Sequence, residues 1–223
     1  MAAGEGESVQ SHEALHQLCV IYRAPIHSFL LRNGHKEQRA EDLASGFIEH
    51  LLEKNRFEGF KKTDTKFRSF LLKCLKRFVL DVIRKEMAEK RGGGLEPLDL
   101  DEIEIGKTAE IEKTLDFDFA KAVHRQAMDR LASEKYAEGA KQQRFAVLRR
   151  FVWGHDESVS YEEVARRLQM TTNAVSKAVF DLRQAYYEYF RRVVRETVTP
   201  EMIAEETRYL MTLLAESGVA SEL

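Results

Sequence analysis

Three stretches of this sequence contain residue patterns that are associated with catalysis or with binding. The first, HEALH at residues 12–16, matches the His-Glu-x-x-His pattern in which two histidines bind zinc and the glutamate acts as a general base. The pattern is short, and its Leu15 already begins an apolar stripe. No cluster of Cys and His with metal-ligand spacing accompanies it. We therefore interpret the match as a coincidence and predict neither a bound metal nor an enzymatic activity.

The second stretch, residues 54–91, combines cations with phenylalanines. It holds 13 Lys and Arg against 5 Asp and Glu. Cations bind phosphates and aromatic faces stack on unpaired bases, so this composition favours a single-stranded nucleic acid as ligand. The alternative is that the phenylalanines are core residues, which we favour for Phe67, Phe70 and Phe78. Phe57 and Phe60, in the preceding loop, are the better candidates for exposure.

The third stretch, YEEVARRLQMTTNAVSKAVFDLRQ at residues 161–184, predicts two helices joined by a tight turn, with Thr171 as the cap of the second helix. The apolar residues that should face each other are Val164, Ala165, Leu168, Val175, Val179 and Leu182. The second helix then resembles the recognition helix of a helix-turn-helix, which meets base edges in the major groove. The alternative is an ordinary helical hairpin. The residues predicted on the DNA-facing side are Thr172, Asn173, Ser176, Lys177, Phe180, Asp181, Arg183 and Gln184.

Asp181 is unexpected on a face that meets phosphates. It lies four residues after Lys177, so the two side chains can form an ion pair on the helix surface. A carboxylate can also accept a hydrogen bond from cytosine N4 in the major groove.

Apolar residues recur three and four positions apart in every periodic stretch, which is the spacing of an amphipathic helix. No stretch alternates apolar and polar residues long enough to predict a strand, so the sequence predicts an all-α fold. The three N-terminal stripes are Leu15, Leu18, Cys19, Tyr22, Ile26, Phe29 and Leu30; Leu43, Phe47, Ile48, Leu51 and Leu52; and Phe67, Phe70, Leu71, Cys74, Leu75, Phe78 and Val82.

The segment RGGGLEPLDLDE ends the third helix, because it combines three glycines, a proline and an acidic run. The next stripe begins near Phe119. We therefore predict two helical domains joined by an acidic linker. The predicted bounds are 12–91 for the first domain, 92–118 for the linker, 119–198 for the helix-turn-helix domain and 199–223 for a C-terminal helical extension.

Charge is segregated along the chain, although the net charge is only −2. Residues 54–91 carry +8 and residues 141–192 carry +4, whereas residues 92–120 carry −7 and residues 196–223 carry −5. Two basic blocks that alternate with acidic connectors favour a nucleic-acid partner, which the total charge conceals.

The composition, 43% hydrophobic and 32% charged, is that of a globular protein. No apolar run approaches the roughly 20 residues that span a bilayer, and the N-terminal residues lack the layout of a signal peptide. Cys19 and Cys74 both lie on apolar helical faces, as expected for thiols in a reducing compartment. The sequence predicts a cytoplasmic protein with no membrane association and no cofactor.

Four segments, taken together and in order, resemble a known family: YRAPIHSFLLRNG, AEDLASGFIEHLLEKN, FRSFLLKCLKRFVLDVIRK followed by EKRGGG, and SYEEVARRLQMTTNAVSKAVFDLR. Over about residues 12–215 the chain resembles a bacterial RNA polymerase sigma factor of the extracytoplasmic-function group. The resemblance implies a first domain that binds core RNA polymerase and melts promoter DNA. It implies a second domain whose helix-turn-helix reads the upstream (minus-thirty-five) element. An anti-sigma factor is a further candidate partner.

The helix that begins near residue 41 is similar to the one that docks on the polymerase clamp. Acidic residues beside an apolar ridge suit a basic, partly apolar coiled coil. The alternative is that these acids simply begin a helix. Ser45 and Gly46 stand where many relatives carry Gln followed by an acid, which should weaken docking. The residues implied in polymerase binding are Glu41, Asp42, Leu43, Phe47 and Leu51.

The basic helix is similar to the segment that captures the melted minus-ten element, and the loop before it could receive a flipped base. Arg77 stands where relatives often carry Asn. The acidic linker resembles the connector that threads through the polymerase. The residues implied in binding the melted element are Phe57, Phe60, Lys61, Lys66, Arg68, Lys73, Lys76, Arg77, Arg84 and Lys85.

The alternative function is a helix-turn-helix transcriptional regulator that binds duplex DNA as a dimer. Such a regulator needs a ligand pocket or a dimer face in its first domain rather than a basic helix with aromatic residues. Because relatives usually carry a basic residue near Asp181, we expect upstream-element binding to be weak without the polymerase. Relatives with an acidic C-terminal helix exist, so one interpretation of Glu201 to Glu216 is a helix that packs on the long helix before it. We also hypothesise that it can cover the recognition face.

Overall fold

The computed structural model describes residues 21–53, 67–90, 109–154, 158–198 and 200–216. Within these ranges every regular element is helical, which confirms the predicted all-α class. None of the helices described is long and apolar enough to cross a bilayer. Helix α1 comprises residues 21–32. The later helices are α2 Glu37–Glu53, α3 Phe67–Lys90, α4 Ala109–Arg130, α5 Gly139–Leu148, α6 Tyr161–Leu168, α7 Thr172–Arg195 and α8 Ile203–Glu216.

Three short helical turns complete the described elements. A π-helical turn, Leu131–Lys135, follows α4, and 3₁₀ turns occupy Arg149–Phe151 and Pro200–Met202. The chain divides into two units, Met1–Phe119 and Ala120–Leu223, with the division inside α4. The residue bounds predicted for the linker and the two domains stay predictions.

The core of the first unit is formed by the apolar faces of α1, α2 and α3. Phe29 and Leu30 of α1 and Phe47 of α2 are at most 1% exposed. Helix α1 ends at Gly34, whose φ of +85° belongs to the left-handed region that a residue with a side chain rarely adopts. That turn brings α2 back alongside α1.

The buried stripe of α3 consists of Leu71, Leu72, Leu75 and Val79. The sequence prediction placed Phe70 and Phe78 in this stripe, but both are only half-buried. A Cβ atom on Gly46 would lie 3.5 Å from the tip of the Phe78 ring, and the same ring lies 5.5 Å from that of Phe47. Phe78 therefore covers the edge of the core where α2 comes close, and the leucines fill its centre.

Helix α4 begins at Ala109, about ten residues before the predicted start of the next apolar stripe. Its first half packs in the first unit. The Phe119 ring stacks on Tyr22 with ring centroids 4.6 Å apart, and the buried Asp118 carboxylate forms an ion pair with Arg32. The acidic composition concealed the first half of this helix, because among residues 113–119 the buried apolar side chains are Leu115 and Phe119.

The second unit is built around α7. Val123, Ala127 and Leu131 of α4 and its π-helical turn are buried, as are Leu148 of α5 and Phe190 of α7. Helix α8 packs on α7 through Ile203, Leu210 and Leu214.

Candidate nucleic-acid interface

Helices α6 and α7 form the predicted helix-turn-helix, and each begins at a capping side chain. The Ser160 hydroxyl accepts a hydrogen bond of 3.2 Å from the Glu163 amide, and the Thr171 hydroxyl accepts one of 3.2 Å from the Ala174 amide. Both bonds satisfy donors that the first turn of a helix leaves unpaired. The predicted cap at Thr171 is confirmed.

The turn between the helices depends on a residue in the left-handed conformation. Gln169 has φ +53° and ψ 46°, and the Met170 amide donates 2.9 Å back to the carbonyl of Ala165. This is a common way to end a helix and reverse the chain sharply.

The helices face each other through the side chains that the spacing predicted. Val164 and Ala165 are 1% and 6% exposed, and Val175, Val179 and Leu182 of α7 are at most 2% exposed. Leu168 is half-buried. This packing leaves one long face of α7 in solvent, which includes Thr172, Asn173, Ser176, Lys177, Phe180, Asp181 and Gln184.

The charge on this face is almost balanced. Lys177 Nζ lies 3.4 Å from a carboxylate oxygen of Asp181, which confirms the predicted ion pair, and both side chains are more than half exposed. Pairs of this kind on a helix surface contribute about 0.3–0.5 kcal/mol. Lys177 is thus held along the helix, with Asp181 offsetting its charge.

Arg183 differs from the sequence prediction, which placed it on the exposed face. It is half-buried, and its guanidinium donates to two backbone carbonyls, at 2.8 Å to Phe151 and 2.7 Å to Gly154. The planar fork of an arginine can hold two acceptors at fixed positions. Arg183 therefore fixes α7 against the chain segment that precedes α6, which helical periodicity alone does not indicate.

On the opposite side of α7, a buried polar contact joins this helix to α4. His124 Nδ1 lies 2.7 Å from the Tyr186 hydroxyl, and the Trp153 ring packs on both, at 5.8 Å from His124 and 5.5 Å from Tyr186. Burial, with a smaller contribution from Arg125, lowers the pKa of His124 to about 4, and burial raises the pKa of Tyr186. Both groups are therefore neutral near pH 7.

A cleft of about 690 Å³ flanks the recognition face on the side of Asp181. Lys135 and Arg144 line it together with Tyr136, and burial, followed by the charge of Asp181, raises the pKa of that tyrosine. The sequence prediction missed both cations as candidate phosphate contacts. The basic block at residues 141–192 includes Arg144 but not Lys135, and the position of both beside α7 depends on how α5 and the π-helical turn pack.

The exposed face of α3 is cationic and lies opposite its leucine stripe. Lys73, Arg77 and Lys85 are exposed, and Lys76 and Arg84 are half-buried. Arg84 lies 3.5 Å from Asp81 one turn before it. The predicted contacts Phe57, Phe60, Lys61 and Lys66, and the side chain of Arg68, lie outside the described residues.

The docking prediction for α2 needs a correction. Leu43, Phe47 and Leu51 are at most 3% exposed, so these side chains form the core and not a contact surface. An amphipathic helix has one apolar ridge, and here the first unit uses it. Glu41 forms an ion pair with Arg23, whereas Asp42 is exposed.

Helix α8 packs on α7, which is one of the two arrangements expected from its sequence, and in this structure it leaves the recognition face exposed. Lys177 and Phe180 are 77% and 61% exposed. The apolar side of α8 packs on α7 instead, because Leu210 and Leu214 find their burial there.

Across the described ranges, no three His, Cys, Asp or Glu side chains come close enough to hold a metal ion. The HEALH segment lies outside those ranges.

Comparison with known proteins adds one finding. The family model described as ECF sigma factor matches residues 5–189, which covers the first unit, the helix-turn-helix and most of α7. Neither a curated protein nor a solved structure gives a match.

Proposed function

Because the chain belongs to the ECF sigma factor family and so acts in transcription initiation, we propose that its two units take separate parts of the promoter. The α6–α7 pair reads the upstream (minus-thirty-five) element. The cationic face of α3 holds the melted minus-ten strand. The acidic surface of α2 around Glu41 and Asp42 docks on core RNA polymerase.

The helix-turn-helix supports the first part of this proposal, and it is the observation on which the proposal mainly rests. Its recognition helix is capped and packed, and presents Asn173, Ser176 and Lys177 within its first two turns. Amide, hydroxyl and ammonium groups are the donors and acceptors that pair with base edges in the major groove. Lys135 and Arg144, beside that face, suit the flanking phosphates.

The exposed charges of α3 support the second part. Lys73, Arg77 and Arg84 are spaced so that they follow one side of the helix, opposite Leu71 and Leu75. One acid, Asp81, lies beside Arg84 on this side, and the cations outnumber it. Cations in excess bind a phosphate backbone whatever the base sequence. Such a row suits a strand that has been separated from its partner.

The acidic surface of α2 supports the third part, in a corrected form. Asp42 and Glu49 are exposed on α2. We propose that Asp42 and its neighbour Glu41 provide charge complementarity to a basic polymerase surface, while Leu43, Phe47 and Leu51 act only by holding the helix in place. Charged contacts of this kind set orientation and association rate more than affinity.

Upstream-element binding should depend on the polymerase. The Lys177–Asp181 pair leaves the reading face with little net charge, and nonspecific attraction to DNA scales with the number of phosphates neutralised. Tight, sequence-specific binding by residues 119–223 alone would contradict this part of the proposal.

Run-off transcription with bacterial core RNA polymerase tests the proposed function. Addition of the chain should start transcripts at defined positions on promoters selected from a random library. Lys177→Ala should reduce these transcripts, and Arg208→Ala, which removes an exposed cation from α8, should not. Specific duplex binding without any association with core polymerase would instead favour the helix-turn-helix regulator.

A further inference from the structure

Phe180 is the most exposed large hydrophobic side chain in the described part of the molecule. It is 61% exposed, compared with 39% for Tyr187 and 38% for Met87. The buried stripe of α7, which includes Val179 and Leu182, lies on another side of the helix. Among the described residues of the second unit, Phe180 does not belong to the buried core, so packing there does not account for a phenylalanine at this position.

The surroundings of Phe180 are polar rather than apolar. Ser176 and Lys177 precede it by one turn, Gln184 follows it by one turn, and all three side chains are exposed. A docking site for another protein is usually a contiguous apolar patch. A single aromatic ring among a hydroxyl, an ammonium and an amide matches the major groove better, because base edges offer mostly hydrogen-bonding atoms there.

One apolar group interrupts those edges, the C5 methyl of thymine, and phenylalanine is among the side chains that contact it. Phe180 lies eight residues after Thr172, which is about 12 Å along the helix axis. The major groove, about 12 Å wide, admits an α-helix lying in it, so side chains in successive turns of α7 can face base edges.

We propose that Phe180 is a specificity-determining residue that reads the methyl group of a thymine in the upstream element. This inference rests on the proposed function of α7. The face of α7 that carries Phe180 is held in its orientation by Arg183, which donates two hydrogen bonds to the Phe151 and Gly154 carbonyls.

Replacement of thymine by deoxyuridine tests the proposal, because it removes the methyl and leaves every hydrogen-bonding atom in place. The full chain with core polymerase is bound to its selected promoter, and each thymine of the upstream element, on either strand, is replaced in turn. One replacement should weaken binding by about fourfold, the factor expected for one buried methyl.

Phe180→Ala should bind the thymine and deoxyuridine promoters equally, and Phe180→Leu should keep part of the difference. Tyr187→Ala, which removes the neighbouring exposed aromatic, should discriminate like the unchanged protein. Circular dichroism should show all three variants folded, since both rings are exposed.

The proposal is overturned if no deoxyuridine replacement weakens binding, if Phe180→Ala still discriminates, or if the selected element contains no thymine. These outcomes differ from failure of the proposed function, in which the polymerase complex would show no preference for any upstream sequence.

Discussion

Helices α3 and α7 are both 24 residues long, yet they present different surfaces to solvent. The α3 sequence contains seven Lys and Arg and three Asp and Glu, and its exposed side is a row of cations. Over its first 13 residues α7 contains two cations and one acid, and of those cations Lys177 pairs with Asp181 and Arg183 donates to backbone carbonyls. The proposed roles rest on this difference, with α3 proposed to bind a phosphate backbone and α7 a particular set of bases.

The buried sides of the two helices differ as well. The side of α3 that faces the core is apolar, with Leu71, Leu72 and Leu75. Beneath α7, Tyr186 is paired with His124 and Arg183 is fixed to two carbonyls. Hydrophobic packing is non-directional, whereas hydrogen bonds fix orientation. A helix that reads bases needs a defined rotation about its axis, and a helix that holds phosphates tolerates more freedom.

The largest expected effect that tests this contrast is a loss of folding stability as the pH falls. Folding lowers the pKa of His124 from 6.5 to about 4, so the unfolded chain binds the proton first as the pH falls. The neutral, buried His124 therefore contributes about 3 kcal/mol to the unfolding free energy. This contribution is fully present above about pH 6.5 and is lost as the pH falls to about 4. Urea unfolding can be followed by the fluorescence of Trp153, the single tryptophan of the chain.

The matched variant is His124→Gln, which keeps a polar partner for Tyr186 but has no titrating group. Its unfolding free energy should fall less between pH 7 and pH 4 than that of the unchanged protein. If both proteins lose stability equally over this range, protonation of His124 is not what destabilises the packing of α7 in acid.

The second effect concerns the cations of α3. Replacement of Lys73, Arg77 and Arg84 together by Gln should weaken open-complex formation by on the order of tenfold to 100-fold at moderate salt, and lower the salt slope by about two units. Upstream-element binding should stay unchanged. Lys36→Gln with Lys113→Gln removes two exposed lysines elsewhere in the first unit and serves as the control. An equal loss in the control would mean that total charge, and not the α3 row, matters.

The third effect is on the orientation of α7. Arg183→Lys keeps the charge but cannot hold both carbonyls, so it should cost about 1–3 kcal/mol of unfolding free energy, nearly as much as Arg183→Ala. Urea unfolding measures this loss, and footprinting of the polymerase complex should show weaker protection of the upstream element. If Arg183→Lys had the same unfolding free energy as the unchanged protein, Arg183 would act only through its charge.

The smallest effect comes from Asp181. Asp181→Asn releases Lys177 from its pair and removes a charge that repels phosphates, so DNA affinity should rise by a few-fold and the salt slope should grow by about one unit. Fluorescence anisotropy over a salt series measures both. A loss of affinity confined to one base position would instead indicate that Asp181 accepts from a cytosine.

The two helices also differ in how well their sequences predicted them. The α6–α7 pair was predicted almost completely, because Thr171, Val175, Val179 and Leu182 follow local rules of capping and period. The exposed side of α3 was predicted too, but its buried stripe was misplaced toward Phe70 and Phe78. Because α3 contains many apolar residues, its sequence allows more than one apolar stripe to face the core. The close approach of α2 at Gly46 decides which of these stripes is buried.

The sequence alone was enough to predict the all-helical class, the tight turn between α6 and α7, and the face of α7 that stays in solvent, Phe180 included, because these depend on neighbours within about four residues. Tertiary packing settled that Leu43, Phe47 and Leu51 are buried within this chain rather than presented to a partner, and that Arg183 points inward. Periodicity shows that a helix has an apolar side and a polar side. Which neighbouring element covers each side depends on contacts between residues distant in sequence, and those contacts follow no local rule.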